Sequence, residues 1–93
     1  MANERFDSVW DALTSDPVER ERLKLLSQLM NTLQKHIREQ GWTQSEAAER
    51  LGVSQPRISD VMRGKISQFS IDALIGLLTA AGISVELKTR RAA

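Results

Sequence analysis

Apolar positions in this chain recur at two different periods. Phe6, Val9, Trp10 and Leu13 are spaced i, i+3, i+4 and i+7, one face of a helix of about two turns. A helix that short has little stability of its own. Asp16-Pro17-Val18-Glu19 then supplies a capping acid, a proline at the first helical position and a glutamate at the third, so a second helix is predicted to begin at Pro17. Leu23, Leu26, Met30, Leu33 and Ile37 form its apolar stripe over about 24 residues, and Gly41 supplies the stop.

Thr43-Gln44-Ser45-Glu46 is a capping box opening a helix that carries Ala47, Ala48 and Leu51 inward and ends at Gly52. Ser54 caps the next helix, which tolerates Pro56 in its first turn, contains Ile58, Val61 and Met62, and closes at Gly64. Ser70 caps a last helix with Ile71, Leu74, Ile75, Leu78 and Ala81 facing the core, stopped by Gly82. From Ile83 to Lys88 apolar and polar residues alternate strictly, the pattern of a half-buried strand. No second strand is predicted in the chain. The backbone of this strand, and its Ile83, Val85 and Leu87 face, therefore call for the same strand from a second subunit, with that face lying on the last helix. The tail Arg90-Arg91-Ala92-Ala93 is expected to fray.

The stretch Gln44 to Met62 fits a helix-turn-helix unit, and each agreement has a physical reason. Ala48 is small where the second helix crosses over it, and Gly52 stands in the turn, where a positive φ is needed. Ala47, Leu51, Val53, Ile58 and Val61 are apolar where the two helices must pack at a steep angle. The solvent-facing positions of the second helix are Gln55, Arg57, Ser59, Asp60 and Arg63, a set able to hydrogen-bond to base edges and phosphates. Glutamine matches adenine and arginine matches guanine in the major groove, each pairing worth about 1–3 kcal/mol of discrimination. Gln55, on the first turn, is best placed to reach bases, and Gln44 starts the preceding helix, where a phosphate would meet free N–H groups. Arg63 and Lys65 follow as phosphate clamps, while Asp60 either accepts from a cytosine amine or points away.

Through Thr43-Gln44, Ala48, Leu51-Gly52-Val53-Ser54-Gln55, Ile58-Ser59 and Arg63-Gly64-Lys65, residues 24–82 resemble the Cro/C1-type (XRE) repressor domains. The resemblance implies an all-α, lambda-repressor-like bundle of about five helices, commonly dimeric, with DNA contacts at Gln44, Gln55 and Arg57. Pro56 replaces the polar residue common at its position, which leaves that side chain apolar contact with a thymine methyl. The ends of the chain are similar to a narrower branch, the HigA-like antitoxins, in which an opening like Val9 to Leu13 and a strand like Val85 to Lys88 flank the repressor domain.

Composition narrows the choice of function. Ninety-three residues suffice for one domain with a modest core, and a chain of this size commonly relies on self-association or dense helix packing. The absence of cysteine excludes disulfides and thiolate metal sites and suits a reducing cytoplasm, and no apolar run is long enough to span a bilayer. His36, the one histidine, lies between Lys35 and Arg38 on a helix as a surface residue, with no partnered nucleophile or metal-ligand cluster; neither an enzyme nor a cofactor is expected. The net charge of +1 hides an asymmetry of −4 over residues 1–21 and +5 over the remainder. A basic body with an acidic arm suits a DNA-binding domain joined to a protein-binding segment. The expectation is thus an arm over 1–16 whose Phe6, Val9, Trp10 and Leu13 meet a small basic toxin, a DNA-binding domain over 17–82, and a dimerising strand and tail over 83–93. The function so read is that of a repressor on a palindromic operator. The alternative is a protein-interaction module that keeps the helix-turn-helix but lacks DNA affinity.

Overall fold

The computed structural model describes residues 15–92. The short helix expected around Phe6, Val9, Trp10 and Leu13 lies outside them. Helix α1 spans Pro17–Gln40; the Asp16 carboxylate accepts from the Val18 N–H at 3.0 Å, and Gly41 closes the helix in the left-handed region. In its first turn Arg22 donates to Glu19 through two nitrogens, at 2.7 and 3.0 Å, and this guanidinium holds the Glu19 carboxyl below its usual value. Both groups are exposed to solvent, so the pair orders the helix end and adds little to global stability.

Helices α2 (Gln44–Leu51) and α3 (Gln55–Met62) follow, each eight residues long. The capping box of α2 is complete: Thr43 Oγ1 accepts from the Glu46 N–H at 3.1 Å, and the Glu46 carboxylate accepts from the Thr43 N–H at 3.3 Å. Gly52 joins the two helices at φ +71°, and a Cβ there would meet nothing within 4 Å. The requirement for glycine at this turn is conformational rather than steric. A 3₁₀ turn, Ile66–Gln68, leads into α4 (Ile71–Ala80), capped by Ser70.

The long helix α1 packs mainly on α4, and α2 mainly on α3. Leu26, Met30, Leu33 and Ile37 of α1 share one buried cluster with Ala47, Ala48 and Leu51, with Ile58 and Val61, and with Leu74, Leu77 and Leu78. One expectation changes here. In α4 the buried face is Leu74, Leu77 and Leu78, whereas Ile75 is 37% exposed, so the inward face is rotated from the expected one. Phe69, just before the Ser70 cap, joins the core at 4% exposure.

The C-terminal segment of one chain, without the second subunit expected to pair with it, is not a strand. Residues 83–92 form no strand or bridge with any described residue. Ile83 is half-buried against the core, but Val85 and Leu87 are 43% and 74% exposed instead of covered by the last helix. A single chain offers this segment no second strand, and backbone pairing is what defines one.

A polar tie missing from the sequence reading links the scaffold to the helix-turn-helix. Gln34 of α1 donates from Nε2 to the Val61 carbonyl at 2.7 Å, at the end of α3, and this contact is partly buried. Because that carbonyl also accepts from the Gly64 N–H at 3.0 Å, it keeps one partner when the side chain is removed. Gln34→Ala is therefore expected to cost about 1 kcal/mol, the ordinary net value of a hydrogen bond and not of an orphaned buried carbonyl. Chemical denaturation checks this; a loss above about 3 kcal/mol would mean that α3 is held chiefly by this bond.

Candidate nucleic-acid interface

Helix α3 has two sides. At 3.6 residues per turn, Gln55, Pro56, Ser59, Asp60 and Arg63 fall within an arc of about 140°. Opposite them Ile58 and Val61 are fully buried. Gln55, Pro56 and Arg63 are exposed, and Ser59 and Asp60 are half-exposed. The Ser54 hydroxyl accepts from the Arg57 N–H at 3.3 Å, which fixes the first turn and so the direction in which Gln55 leaves the helix. Gln44 is exposed at the first position of α2.

Arg57 departs from the expected picture. It sits at the flank of the open arc and is half-buried, its guanidinium 3.8 Å above the Phe69 ring, with one Nη donating to the Gln68 carbonyl at 2.8 Å. Phe69 belongs to the buried core cluster, and the stack covers one face of its ring and ties the first turn of α3 to the segment that follows the 3₁₀ turn. A guanidinium has five donors, so this contact leaves others for an anion. Asp60 has its own partner: Lys65 Nζ lies 3.7 Å from its carboxylate, and the Lys65 N–H donates to the Asp60 carbonyl at 3.0 Å. Lys65 and Arg63 are both exposed past the end of α3.

A second aromatic arrangement supports the start of α2. Trp42, in the turn between α1 and α2, is half-buried, with the Arg50 guanidinium 5.0 Å from its ring centroid and the His36 ring edge-on at 5.4 Å. His36 is thus a half-buried packing partner of Trp42, not the plain surface residue expected. Among the described residues no group of three or more His, Cys, Asp or Glu side chains could hold a metal, and no helix is long and apolar enough to cross a membrane.

Comparison with known proteins agrees with this geometry. A family model described as a helix-turn-helix domain matches residues 13–90. A solved structure assigned to the XRE family of transcriptional regulators is 31% identical, with a TM-score of 0.72, over 80% of this chain and 83% of that one. The chain belongs to the XRE-type helix-turn-helix family. No curated protein matches it. The two short helices of this XRE-type chain, α2 and α3, form its helix-turn-helix, and the arc of α3 from Gln55 to Arg63 is open to solvent.

The Arg57 stack gives an expectation opposite to that for a freely exposed base reader. Cation–π stacking on Phe69 and a charged hydrogen bond to Gln68 together make Arg57→Ala cost about 1–3 kcal/mol. For a domain of this size that lowers Tm by roughly 5–15 °C. Phe69→Leu loses the stack and also three carbons from the buried core, and should lower Tm at least as much. Thermal unfolding followed by circular dichroism decides, and an unchanged Tm for Arg57→Ala would show the stack to be without weight.

Proposed function

We propose that this XRE-type chain is a sequence-specific DNA-binding repressor that reads the major groove with α3 and binds a palindromic operator as a homodimer. The uncovered arc of α3 carries this reading: Gln55 and Ser59 offer hydrogen-bonding groups to base edges, and Pro56 offers an apolar surface to a thymine methyl. Arg63 and Lys65, past the end of the helix, act on phosphates, as does Gln44 at the start of α2. Arg57 contributes its remaining donors to the backbone from the flank, and Asp60 positions Lys65 instead of facing phosphate directly. The chemistry is recognition without catalysis or cofactor, and its ligand places it in the cytoplasm.

Two recognition helices roughly 34–36 Å apart would enter successive major grooves, so a dimer made through Ile83, Val85 and Leu87 fits a two-fold operator. The similarity of both chain ends to HigA-like antitoxins extends the reading to autorepression with a small basic toxin as partner. The acidic arm with Phe6, Val9, Trp10 and Leu13, outside the described residues, would meet that partner as an amphipathic helix in a groove.

Gel-shift titration against genomic fragments tests the DNA reading. Gln55→Ala should collapse the ratio of specific to nonspecific affinity by about tenfold or more, whereas Arg63→Ala should weaken binding to all sequences and shallow the salt dependence by about one counterion. A Gln55→Ala protein that keeps its sequence preference would displace α3 as the reading helix. Binding that does not respond to salt and vanishes with competitor DNA would favour the protein-interaction module. Deleting residues 1–15 should abolish binding to the product of an adjacent small basic reading frame while sparing the gel shift; retention of that binding would remove the arm from the toxin interface.

A further inference from the structure

Ile83 is the last residue tied to the domain. Its N–H donates to the Leu78 carbonyl at 2.8 Å, and its side chain packs on the core. Beyond it, residues 84–92 lie outside any helix, turn or ladder, and no hydrogen bond joins their backbone to another described residue. Exposed apolar surface is concentrated beside this segment. Of the five exposed large apolar residues among those described, Leu25, Ile75, Val85 and Leu87 line one groove between α1, α4 and the segment. Leu29, Ile71 and Ile83 add to its apolar lining, and its volume is about 970 Å³.

We propose that this segment pairs with its own copy from a second chain as an antiparallel ribbon centred on Leu87, so that each subunit's groove is closed by the other. The proposal rests on the dimer reading above and adds the register, which alternation alone leaves open. Registers offset by one residue are removed first, because they set the apolar face of one strand beside the polar face of the other. A centre on Lys88 or Thr89 opposes Lys88 to the partner's Lys88 or the partner's Arg90. One on Ser84 reaches Gly82 after a single pair on each side, which leaves three two-fold centres to weigh.

Centred on Glu86, the ribbon would oppose two carboxylates on the axis, an unfavourable pair. Centred on Val85, it would set Lys88 opposite Gly82, whose φ of +80° takes it out of any strand, and so would stop the ladder at Ile83. Centred on Leu87, the polar face pairs Glu86 with the partner's Lys88 twice, once on each side of the axis. The same register sets Leu87 against the partner's Leu87, Val85 against the partner's Thr89, and Ser84 against the partner's Arg90. It uses the chain as far as residue 90 and leaves Ile83 and Gly82 free to make the turn out of α4. The segment is thus complementary in charge to itself, which argues for a second copy as occupant of the groove over an unrelated partner.

The lack of cysteine in the chain makes the register directly measurable. Opposed Cα atoms in an antiparallel pair are about 4.5–5.5 Å apart, within disulfide range, so Leu87→Cys should cross-link to a covalent dimer under mild oxidation. Two Val85→Cys residues would stand about 14 Å apart along the ribbon and should not cross-link. In sedimentation, E86K and K88E should each raise the dimer dissociation constant about tenfold by opposing like charges, and E86K/K88E should bring it back to within about twofold. A dimer that cross-links through Val85→Cys in place of Leu87→Cys, or that the double reversal fails to restore, overturns the register while the dimer stands. A chain that sediments as a monomer at all concentrations removes the dimer reading itself, and the ribbon with it.

Discussion

Helices α2 and α3 have only eight residues each, and helices of that length are unstable in water on their own. Everything this domain can present to DNA depends on burying one side of each. Ala47, Ala48 and Leu51 meet Ile58 and Val61, and the pair is closed from below by Leu26, Met30, Leu33 and Ile37 of α1. The caps act at the ends of this packing. Thr43 and Ser54 satisfy the first free N–H groups, and Gly52 turns the chain at a φ that other residues rarely adopt. The orientation of α3 is therefore a product of the whole core, and cavities opened far from it would loosen its placement.

Polar contacts then refine what packing sets coarsely. Gln34 holds the C-terminal end of α3 through the Val61 carbonyl, and Arg57 holds its first turn through Phe69 and the Gln68 carbonyl. One tie comes from α1 and the other from the segment before α4, so α3 is braced at both ends by different elements. On the arc from Gln55 to Arg63, the one side-chain tie among the described residues is that of Asp60 to the exposed Lys65. That separation allows side chains there to change without altering the fold, which is what a reading surface requires.

Much of this was legible in the residues because the signals were local. Asp16-Pro17, Thr43 with Glu46, Ser54 and Ser70 each mark a helix start by a bond within three residues, and Gly41, Gly52 and Gly82 mark stops by backbone conformation. What escaped was nonlocal or read one step off. The Arg57–Phe69 stack joins positions twelve apart through a 3₁₀ turn that has no apolar period to reveal it. The Gln34–Val61 bond spans 27 residues, and no pattern on α1 distinguishes Gln34 from a solvated glutamine. In α4, Leu74, Leu77 and Leu78 are buried while Ile75 is exposed; with Ile71, Leu74, Ile75, Leu77 and Leu78 all apolar, periodicity could not choose between two overlapping faces. The aromatic pair of Phe69 and Trp42, each under an arginine, is a signal that could have been sought: a lone aromatic in a turn beside a helix-turn-helix needs something to cover it.

The C-terminal segment leaves the domain next to the core that holds α3. Ile83 is bonded to Leu78, and Leu78 is 1% exposed in the same cluster that contains Ile58 and Val61 of α3. Between Ile83 and α3 there is thus packed core. Any constraint placed on residues 84–90 by a partner strand would be carried rigidly to α3, because close-packed interiors transmit displacement instead of absorbing it. The spacing of two recognition helices would then be a property of one interface and one core. A repressor built this way gains half-site specificity from linkage, since the second helix enters its groove at an effective concentration set by a stiff connection. A slack connection at Gly82 would lower that concentration while leaving every residue of the reading surface in place.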